Sequence, residues 1–246
     1  MILPWTVSCE RNTCSCCQIG ELVYAETRPY GEFGEKRTFW VNGRRLGVAN
    51  NDDQAMEFCE KEIRSLLCSF PGIEFVKKGP LEIKVGNIEK EEVEAIFCPW
   101  GKDTGLAGVS SCVIRDGGPE MLGFMRRIDT IKVGQARIST SGNLPCKFVI
   151  HVACPQWRGG TDNEVYQLEE AYSACISGLK DLVIKEAALP CLGMGGNAFP
   201  EEKALLVLAG FVKYVLDSRM MRRLRIITPS KAVFWDLRSI LMEEMT

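Results

Sequence analysis

The chain has 246 residues, enough for one large domain or for a medium domain with a smaller companion. Its 46% hydrophobic and 25% charged residues are ordinary for a soluble globular protein, and a net charge of −2 excludes a bulk attraction to nucleic acid or to an anionic membrane. No apolar run reaches the roughly 18 to 20 residues that cross a bilayer, and the N-terminus lacks the features of a signal peptide, so we expect a cytoplasmic or nuclear protein.

Twelve cysteines are expected to be reduced thiols, because a disulfide framework is rare in those compartments. Most lie in apolar segments, where cysteine packs as a small hydrophobe. The four nearest the N-terminus are Cys9, Cys14, Cys16 and Cys17. Structural zinc takes four ligands, usually as two short pairs some distance apart, and no second pair follows here. We therefore favour loop or packing thiols over a zinc site and predict no metal.

Two strands and a helix are predicted in the N-terminal third. Residues 21–27 and 37–41 are rich in aromatic and β-branched residues, as paired strands are. Residues 51–53 (Asn-Asp-Asp) are a helix-start signal, and apolar residues then recur on one helical face over residues 55–67. Residues 1–78 are therefore predicted as a small α+β region of unknown role.

Strands and helices alternate from residue 81 onward. The predicted strands are residues 81–85, 93–97, 148–153, 186–192 and 224–227. The predicted helices are about residues 110–116, 120–128, 164–182, 201–216 and 231–242. This alternation predicts a second domain, residues 79–246, of the α/β class with three layers.

Three predicted loops at strand ends contain glycine, namely residues 86–88, 101–108 and 193–196. Open α/β sheets bind ligands beyond the carboxyl ends of their strands. Glycine lets backbone N–H groups approach a phosphate, and the helix predicted after Pro200 adds a partial positive charge. An ordinary strand-to-helix turn is the alternative for the loop at 193–196. The string of a nucleotide-binding P-loop is absent from the sequence.

Six strings in the second domain occur in the order and spacing of a macro domain. They are residues 85–88 (Val-Gly-Asn-Ile), 93–96 (Val-Glu-Ala-Ile), 118–120 (Gly-Pro-Glu), 134–139 (Gly-Gln-Ala-Arg-Ile-Ser), 143–151 (Asn-Leu-Pro-Cys-Lys-Phe-Val-Ile-His) and 189–200 (Leu-Pro-Cys-Leu-Gly-Met-Gly-Gly-Asn-Ala-Phe-Pro). The chain resembles that family over roughly residues 80 to 244. The string at 143–151 is most similar to macro domains of vertebrate mono-ADP-ribosyltransferases, with a weaker likeness to the macro histone. The resemblance implies a three-layer α/β/α domain with a mixed sheet.

The resemblance also implies an ADP-ribose pocket. Asn87 stands where the family has an aspartate that accepts a hydrogen bond from the adenine amino group, and the Ile88 N–H would donate to the adenine. The other positions that the resemblance assigns to the ligand are Gly101, Gly108 and Val109 in the first ligand loop and Gly193, Met194, Gly195, Gly196, Asn197 and Phe199 in the second. The second loop would wrap the diphosphate, and Phe199 would flank the terminal ribose.

The first ligand loop departs from the family's pattern. Residues 98–101 (Cys-Pro-Trp-Gly) and 106–110 (Leu-Ala-Gly-Val-Ser) replace an asparagine-rich and glycine-rich string. Gly101 takes the place of the asparagine that orients the terminal ribose, and Ser110 that of the aspartate that helps to activate water. Hydrolysis needs a positioned base or a held water molecule. We therefore expect binding without turnover, no catalytic residue and no cofactor.

His151 and two cysteines near the first loop are the remaining candidates for chemistry. His151, the only histidine, is flanked by apolar residues in a predicted strand, so we favour a structural histidine over a general base. Cys98 and Cys112 have no neighbouring histidine in the sequence to activate them and are predicted to be packing residues.

Three functions follow from these features. The first is non-catalytic binding of ADP-ribose or of a mono-ADP-ribosylated protein. The second is an ADP-ribosyl hydrolase with a nonstandard first loop, in which Asp103 or Asp116 would act. The third is a degenerate fold, its pocket filled by Trp100 and Leu106, that serves as a protein-interaction or RNA-binding module. The expected partners are ADP-ribose, ADP-ribosylated proteins and a further protein partner, rather than nucleic acid or a membrane.

Overall fold

The computed structural model describes residues 6–7, 15–19, 23–30, 36–41, 44–69, 75–100, 108–128 and 130–243. The chain forms two compact units, residues 1–73 and residues 74–246. None of the helices within the described ranges is long and apolar enough to cross a membrane.

The first unit is an antiparallel sheet with one helix. Its strands are β1 (Thr6–Val7), β2 (Ser15–Ile19), β3 (Val23–Tyr30), β4 (Lys36–Val41) and β5 (Arg44–Ala49), and each pairs with the next. Helix α1 (Asp52–Ser69) follows, and the Asn51 side-chain oxygen caps it by accepting a hydrogen bond from the Gln54 N–H at 2.8 Å. The rings of Phe58 on α1 and Phe39 on β4 stack at 5.1 Å, so the helix packs on the sheet.

The sequence prediction for this unit was incomplete. Residues 21–27 and 37–41 overlap β3 and β4, and residues 55–67 lie within α1, whereas β1, β2 and β5 were missed. The missed strands are short or begin with polar residues, so their apolar patterns are weak. Of the four N-terminal cysteines, Cys9 and Cys14 lie outside the described residues, and the other two are in β2.

The second unit is a mixed sheet of seven strands. In chain order they are β6 (Phe75–Lys78), β7 (Leu81–Val85), β8 (Ala95–Trp100), β9 (Ala136–Thr140), β10 (Phe148–Ala153), β11 (Glu186–Pro190) and β12 (Arg223–Thr228). Their spatial order is β6-β7-β12-β11-β8-β10-β9. The five inner strands are parallel, and both edge strands are antiparallel to their neighbours.

Four helices cover this sheet. They are α2 (Val109–Arg127), α3 (Glu164–Asp181), α4 (Glu201–Asp217) and α5 (Lys231–Glu243). On β10, Val149 belongs to the same core cluster as Val113 of α2, whereas Ile150 packs against Gly178 of α3. Successive strand residues point to opposite faces, so α2 and α3 lie on opposite sides of the sheet. The predicted three-layer α/β architecture is confirmed.

Two details of the second unit correct the sequence prediction, and a third agrees with it. The edge strands β6 and β9 were missed. Strand β8 extends to Trp100, because Cys98, Pro99 and Trp100 pair with the end of β10 instead of forming a loop. The two helices predicted at 110–116 and 120–128 agree with α2, which consists of two helical stretches joined at a kink, because Gly118, with φ 75° and ψ −161°, is not helical.

His151 on β10 is fully buried in the layer between the sheet and α2. Its Nε2 lies 3.0 Å from the Ser139 hydroxyl, and its ring stacks on Phe124 at 5.2 Å. Burial lowers the pKa of His151 to about 4. This neutral, enclosed ring agrees with the prediction of a structural histidine.

We expect His151→Gln to make the free energy of unfolding less sensitive to acid. The histidine pKa is about 4 in the folded chain, against about 6.5 in an unfolded chain. Between these two pH values only the unfolded chain binds the proton. The free energy of unfolding therefore has its full value above about pH 6.5 and falls by about 3 kcal/mol as the pH decreases to about 4. Denaturant unfolding of both proteins across this pH window measures the difference. Equal losses in the wild type and the variant would contradict the expectation.

Candidate functional site

Five loops leave the carboxyl ends of the parallel strands at one edge of the second sheet. In spatial order they follow β7, β12, β11, β8 and β10. Neighbouring strands lie about 4.8 Å apart, so the two outermost loops begin about 20 Å from each other. Ligands of open α/β sheets bind at this kind of edge.

The loop after β7 contains Asn87 and Ile88. The Gly86 N–H donates to the Thr228 carbonyl at 3.0 Å and ties the loop to the end of β12. Asn87 is exposed at the start of a 3-10 turn, Ile88–Lys90, and the Ile88 side chain is buried in the core cluster that includes α2 residues. The amide of Asn87 is thus available to a ligand, while Ile88 anchors the turn.

A buried ion-pair network holds the far end of that loop. The Glu91 carboxylate, whose side chain is 2% exposed, accepts hydrogen bonds from the Arg225 guanidinium and from Lys84 Nζ. Arg225 also donates to Glu82 on the adjacent strand at 2.7 Å. Because each buried charge has a partner of opposite sign, the network fastens the loop to β7 and β12 without an unpaired charge.

The loop after β11 contains the predicted diphosphate-binding glycines. Gly193 and Gly195 have φ angles of 82° and 78°, which favour glycine. The Phe199 N–H donates to the Gly193 carbonyl, and the Ala198 N–H donates to the Gly195 carbonyl. Within the described part of the chain, the N–H groups of Gly195 and Gly196 donate to no protein acceptor. Both residues are exposed, so two free donors face solvent here.

The other predicted residues of this loop are partly or fully buried. Met194 is half-buried before the 3-10 turn Gly195–Asn197, and Asn197 is buried within it. Phe199 is 7% exposed, and its ring packs on Trp157 with the centroids 5.2 Å apart. Most of the Phe199 ring therefore supports the loop, and little of it remains to flank a ribose.

The loop after β10 supports the loop after β11 (residues 193–199, the glycine loop), and this role was not predicted from the sequence. The Trp157 N–H donates to the Asn197 carbonyl at 2.8 Å, which adds a backbone contact to the Trp157–Phe199 ring contact. A signal was present in the sequence, because Gly159 and Gly160 follow a predicted strand and precede a predicted helix.

Glu164, the first residue of α3, organises the loop after β10. Its carboxylate accepts hydrogen bonds from the N–H groups of Arg158 at 2.9 Å, Gly160 at 3.1 Å and Asp162 at 2.8 Å. Burial by itself raises the pKa of Glu164, but these backbone N–H groups and that of Glu164 itself outweigh it and lower the pKa below its ordinary value. The carboxylate therefore remains ionised at neutral pH.

The first ligand loop lies largely outside the described residues, and Gly101 is among those not described. Gly108 (φ 56°) directly precedes α2, and Val109 begins the helix and packs against the core. The Ser110 hydroxyl is buried and donates to the Pro99 carbonyl at 2.5 Å. Its proton is thus committed to a backbone acceptor, and the side chain is no base.

Two side chains at the end of β8 are engaged in packing. Cys98 is buried, and burial raises its thiol pKa to about 12, so it is protonated at neutral pH. The Trp100 ring packs against the core cluster and lies edge-on to His151. Cys98 therefore has the packing role that was predicted for it.

We expect Gly193→Ala to destabilise the protein more than Gly195→Ala. Both residues have positive φ, which costs an alanine roughly 1 kcal/mol or more. A Cβ on Gly193 would also lie 3.2 Å from Leu168 and from Phe199, whereas a Cβ on Gly195 meets open space. Overpacking of this kind adds about 1 to 3 kcal/mol. Denaturant unfolding of the two variants gives the comparison, and equal free energies would refute it.

The chain is similar to one protein-family model and to known proteins. The sequence model of the Macro domain family matches residues 103–208. O-acetyl-ADP-ribose deacetylase 1 of Pantoea vagans is 30% identical over 148 residues, which are 58% of this chain and 86% of that protein. ADP-ribose glycohydrolase MACROD2 of Xenopus laevis is 30% identical over 181 residues, which are 73% of this chain and 40% of that protein.

Solved structures show the same fold. The Oceanobacillus iheyensis macrodomain with ADP superimposes with a TM-score of 0.62 at 20% identity, over 69% of this chain and 96% of that chain. A mutant of that macrodomain with ADPR gives a TM-score of 0.64 at 20% identity, over 70% of this chain and 97% of that chain. At this identity the likeness concerns the fold alone, and it covers nearly all of the other chain.

Proposed function

The chain belongs to the macro domain family, and from that premise we propose that it binds ADP-ribose, or a protein that carries mono-ADP-ribose, at the carboxyl edge of its second sheet. The observation that carries the proposal is the loop after β11. Its exposed Gly195 and Gly196 N–H groups have no protein acceptor among the described residues. Free backbone N–H groups are donors for phosphate oxygens, and the diphosphate of ADP-ribose supplies such oxygens.

The adenine end of the ligand would lie at the loop after β7. There the adenine amino group would donate to the side-chain oxygen of Asn87, and the Ile88 N–H would donate to the ring. Strands β7 and β11 are separated by β12 alone, so the two loops begin about 10 Å apart. An adenosine with its diphosphate can bridge that gap. A neutral amide is a weaker acceptor than a carboxylate, so Asn87 would contribute less than an aspartate.

Two side chains favour binding without turnover. Ser110, which stands where the resembled family has the aspartate that helps to activate water, donates its proton to Pro99. Asp116 is paired with Arg115 at 2.6 Å and with Lys90 at 2.5 Å, and these hydrogen bonds lower its pKa to about 2. A carboxylate with so low a pKa is a poor proton acceptor at neutral pH.

We expect wild-type protein to bind ADP-ribose in a calorimetric titration and Gly195→Glu to bind at least about tenfold more weakly, because a carboxylate in the glycine loop repels the diphosphate. Gly79→Glu is the matched control. It adds the same charge at a glycine that also has a positive φ, 58°, and where a side chain also meets open space, in the turn between β6 and β7 at the opposite end of β7 from the site. Its affinity should equal that of the wild type.

The titration separates the proposal from the third function predicted from the sequence, a degenerate fold. Absence of heat with wild-type protein at millimolar ADP-ribose would refute the proposal and favour a degenerate cleft that binds protein or RNA. Equal weakening by both glutamate variants would point to a global effect of charge rather than to contact at the loop.

An ADP-ribosyl hydrolase is the second candidate, because two of the relatives are named for hydrolytic activities on ADP-ribose derivatives. We expect no release of labelled ADP-ribose from a modified protein above the level in buffer. Release that falls in Asp103→Asn would support the hydrolase, with Asp103 in the part of the first loop that lies outside the described residues. Asp116→Asn should leave any release unchanged, because Asp116 is occupied by two cations.

The finer assignments stay predictions. They are the cytoplasmic or nuclear location and the narrower likeness to macro domains of vertebrate mono-ADP-ribosyltransferases.

A further inference from the structure

Glu164 is a buried carboxylate at the start of a helix, and none of the proposed ligand contacts uses it. It is 1% exposed. All three of its backbone partners lie in the loop after β10, which the sequence comparison with macro domains did not assign to the ligand. A charge so enclosed is kept in a fold only where its hydrogen bonds are satisfied.

We propose that Glu164 is a positioning residue for the diphosphate-binding loop: its carboxylate fixes the loop after β10, and that loop holds the backbone of Gly193–Phe199 through Trp157. The role in ligand binding rests on the proposed function. The role in holding the loop does not, and it is tested without a ligand.

The loop after β10 has a conformation that needs an external anchor. Gly159 and Gly160 have φ angles of 100° and 82°, and Asn163 has a φ of 55°. Consecutive residues with positive φ bend the chain tightly, but an unbound glycine pair populates many other conformations. The three N–H groups that converge on Glu164 select one of them, because in any other conformation the buried carboxylate loses its donors.

That single conformation sets the position of Trp157. A Cβ on Gly160 would lie 3.0 Å from the Trp157 ring, so the turn packs closely against the indole. On the other side, Trp157 contacts the glycine loop twice, through its N–H to the Asn197 carbonyl at 2.8 Å and through its ring to Phe199 at 5.2 Å. Lys203 Nζ lies 5.9 Å from the centre of the same indole. Displacement of the turn therefore moves the support beneath Asn197 and Phe199.

The two free donors of Gly195 and Gly196 depend on this support. They precede Asn197 directly, and the turn that contains them is closed by the hydrogen bonds of Ala198 and Phe199 to Gly195 and Gly193. A loop with three glycines loses its fixed geometry readily, and a phosphate then has to order it on binding. Because Glu164 would order the loop before the ligand arrives, ligand binding would not include this free-energy cost of ordering.

The test compares Glu164→Gln with Glu169→Gln, which removes the same charge from an exposed position on the same helix. Glutamine has the size of glutamate but a single acceptor oxygen, and its NH₂ group would face one of the three N–H donors. Amide hydrogen exchange of ligand-free protein and ADP-ribose titration are measured on both variants. Glu164→Asp, which retains the charge on a shorter side chain, is the third variant and is used if Glu164→Gln does not fold.

We expect faster exchange at the Trp157, Ala198 and Phe199 amides in Glu164→Gln, and an affinity for ADP-ribose about tenfold lower than that of the wild type. Glu169→Gln should match the wild type in both measurements, and Glu164→Asp should fall between the wild type and Glu164→Gln. Faster exchange confined to the first turn of α3, with residues 193–199 unchanged, would mean that Glu164 only starts the helix and would overturn the proposal.

The ligand measurement separates this inference from the proposed function. Wild-type binding with an unchanged affinity in Glu164→Gln would overturn the role in binding and leave the proposed function intact. If the wild type does not bind ADP-ribose, the proposed function fails, and the exchange rates at residues 193–199 still decide whether Glu164 holds the loop.

Discussion

Parallel pairing of β7, β12, β11, β8 and β10 is the constraint on which the candidate site depends. Because these strands run in one direction, all their carboxyl ends lie at one edge of the sheet, and loops distant in the chain become neighbours. Strand β11 lies between β12 and β8, which brings the glycine loop into the middle of that edge. The antiparallel strands β6 and β9 flank the parallel set and contribute no loop of this kind.

Around that edge, three buried polar side chains are satisfied within the protein. Glu91 is paired with Arg225 and Lys84, Ser110 donates to Pro99, and Glu164 accepts three backbone hydrogen bonds. The glycine loop differs, because two of its N–H groups have no acceptor in the described part of the chain. Satisfied neighbours stiffen the frame and leave the unsatisfied donors to an external anion, which is the arrangement expected of a pre-organised binding site.

At this edge, ligand binding and hydrolysis depend on different groups. The groups at the edge that favour an anionic ligand are backbone donors, which the fold supplies, whereas hydrolysis needs a positioned base or a held water molecule. Here Ser110 is a donor and Asp116 is neutralised by two cations. A fold of this kind carries different activities according to such side chains, so relatives named as deacetylase or glycohydrolase establish the family and leave the activity of this chain to its own residues.

The sequence by itself determined the class of the second unit, its five inner strands, the glycine loop at 193–196 and the structural character of His151. Those features follow from local signals, namely apolar runs, helical periodicity and glycine at strand ends. The tertiary structure alone decided that residues 98–100 continue a strand and that Phe199 supports a loop. It also decided that Glu164 and Trp157 belong to the site at all. Each of these depends on a partner far along the chain, such as β10 for β8 or Asn197 for Trp157, and a local pattern carries no information about such a partner.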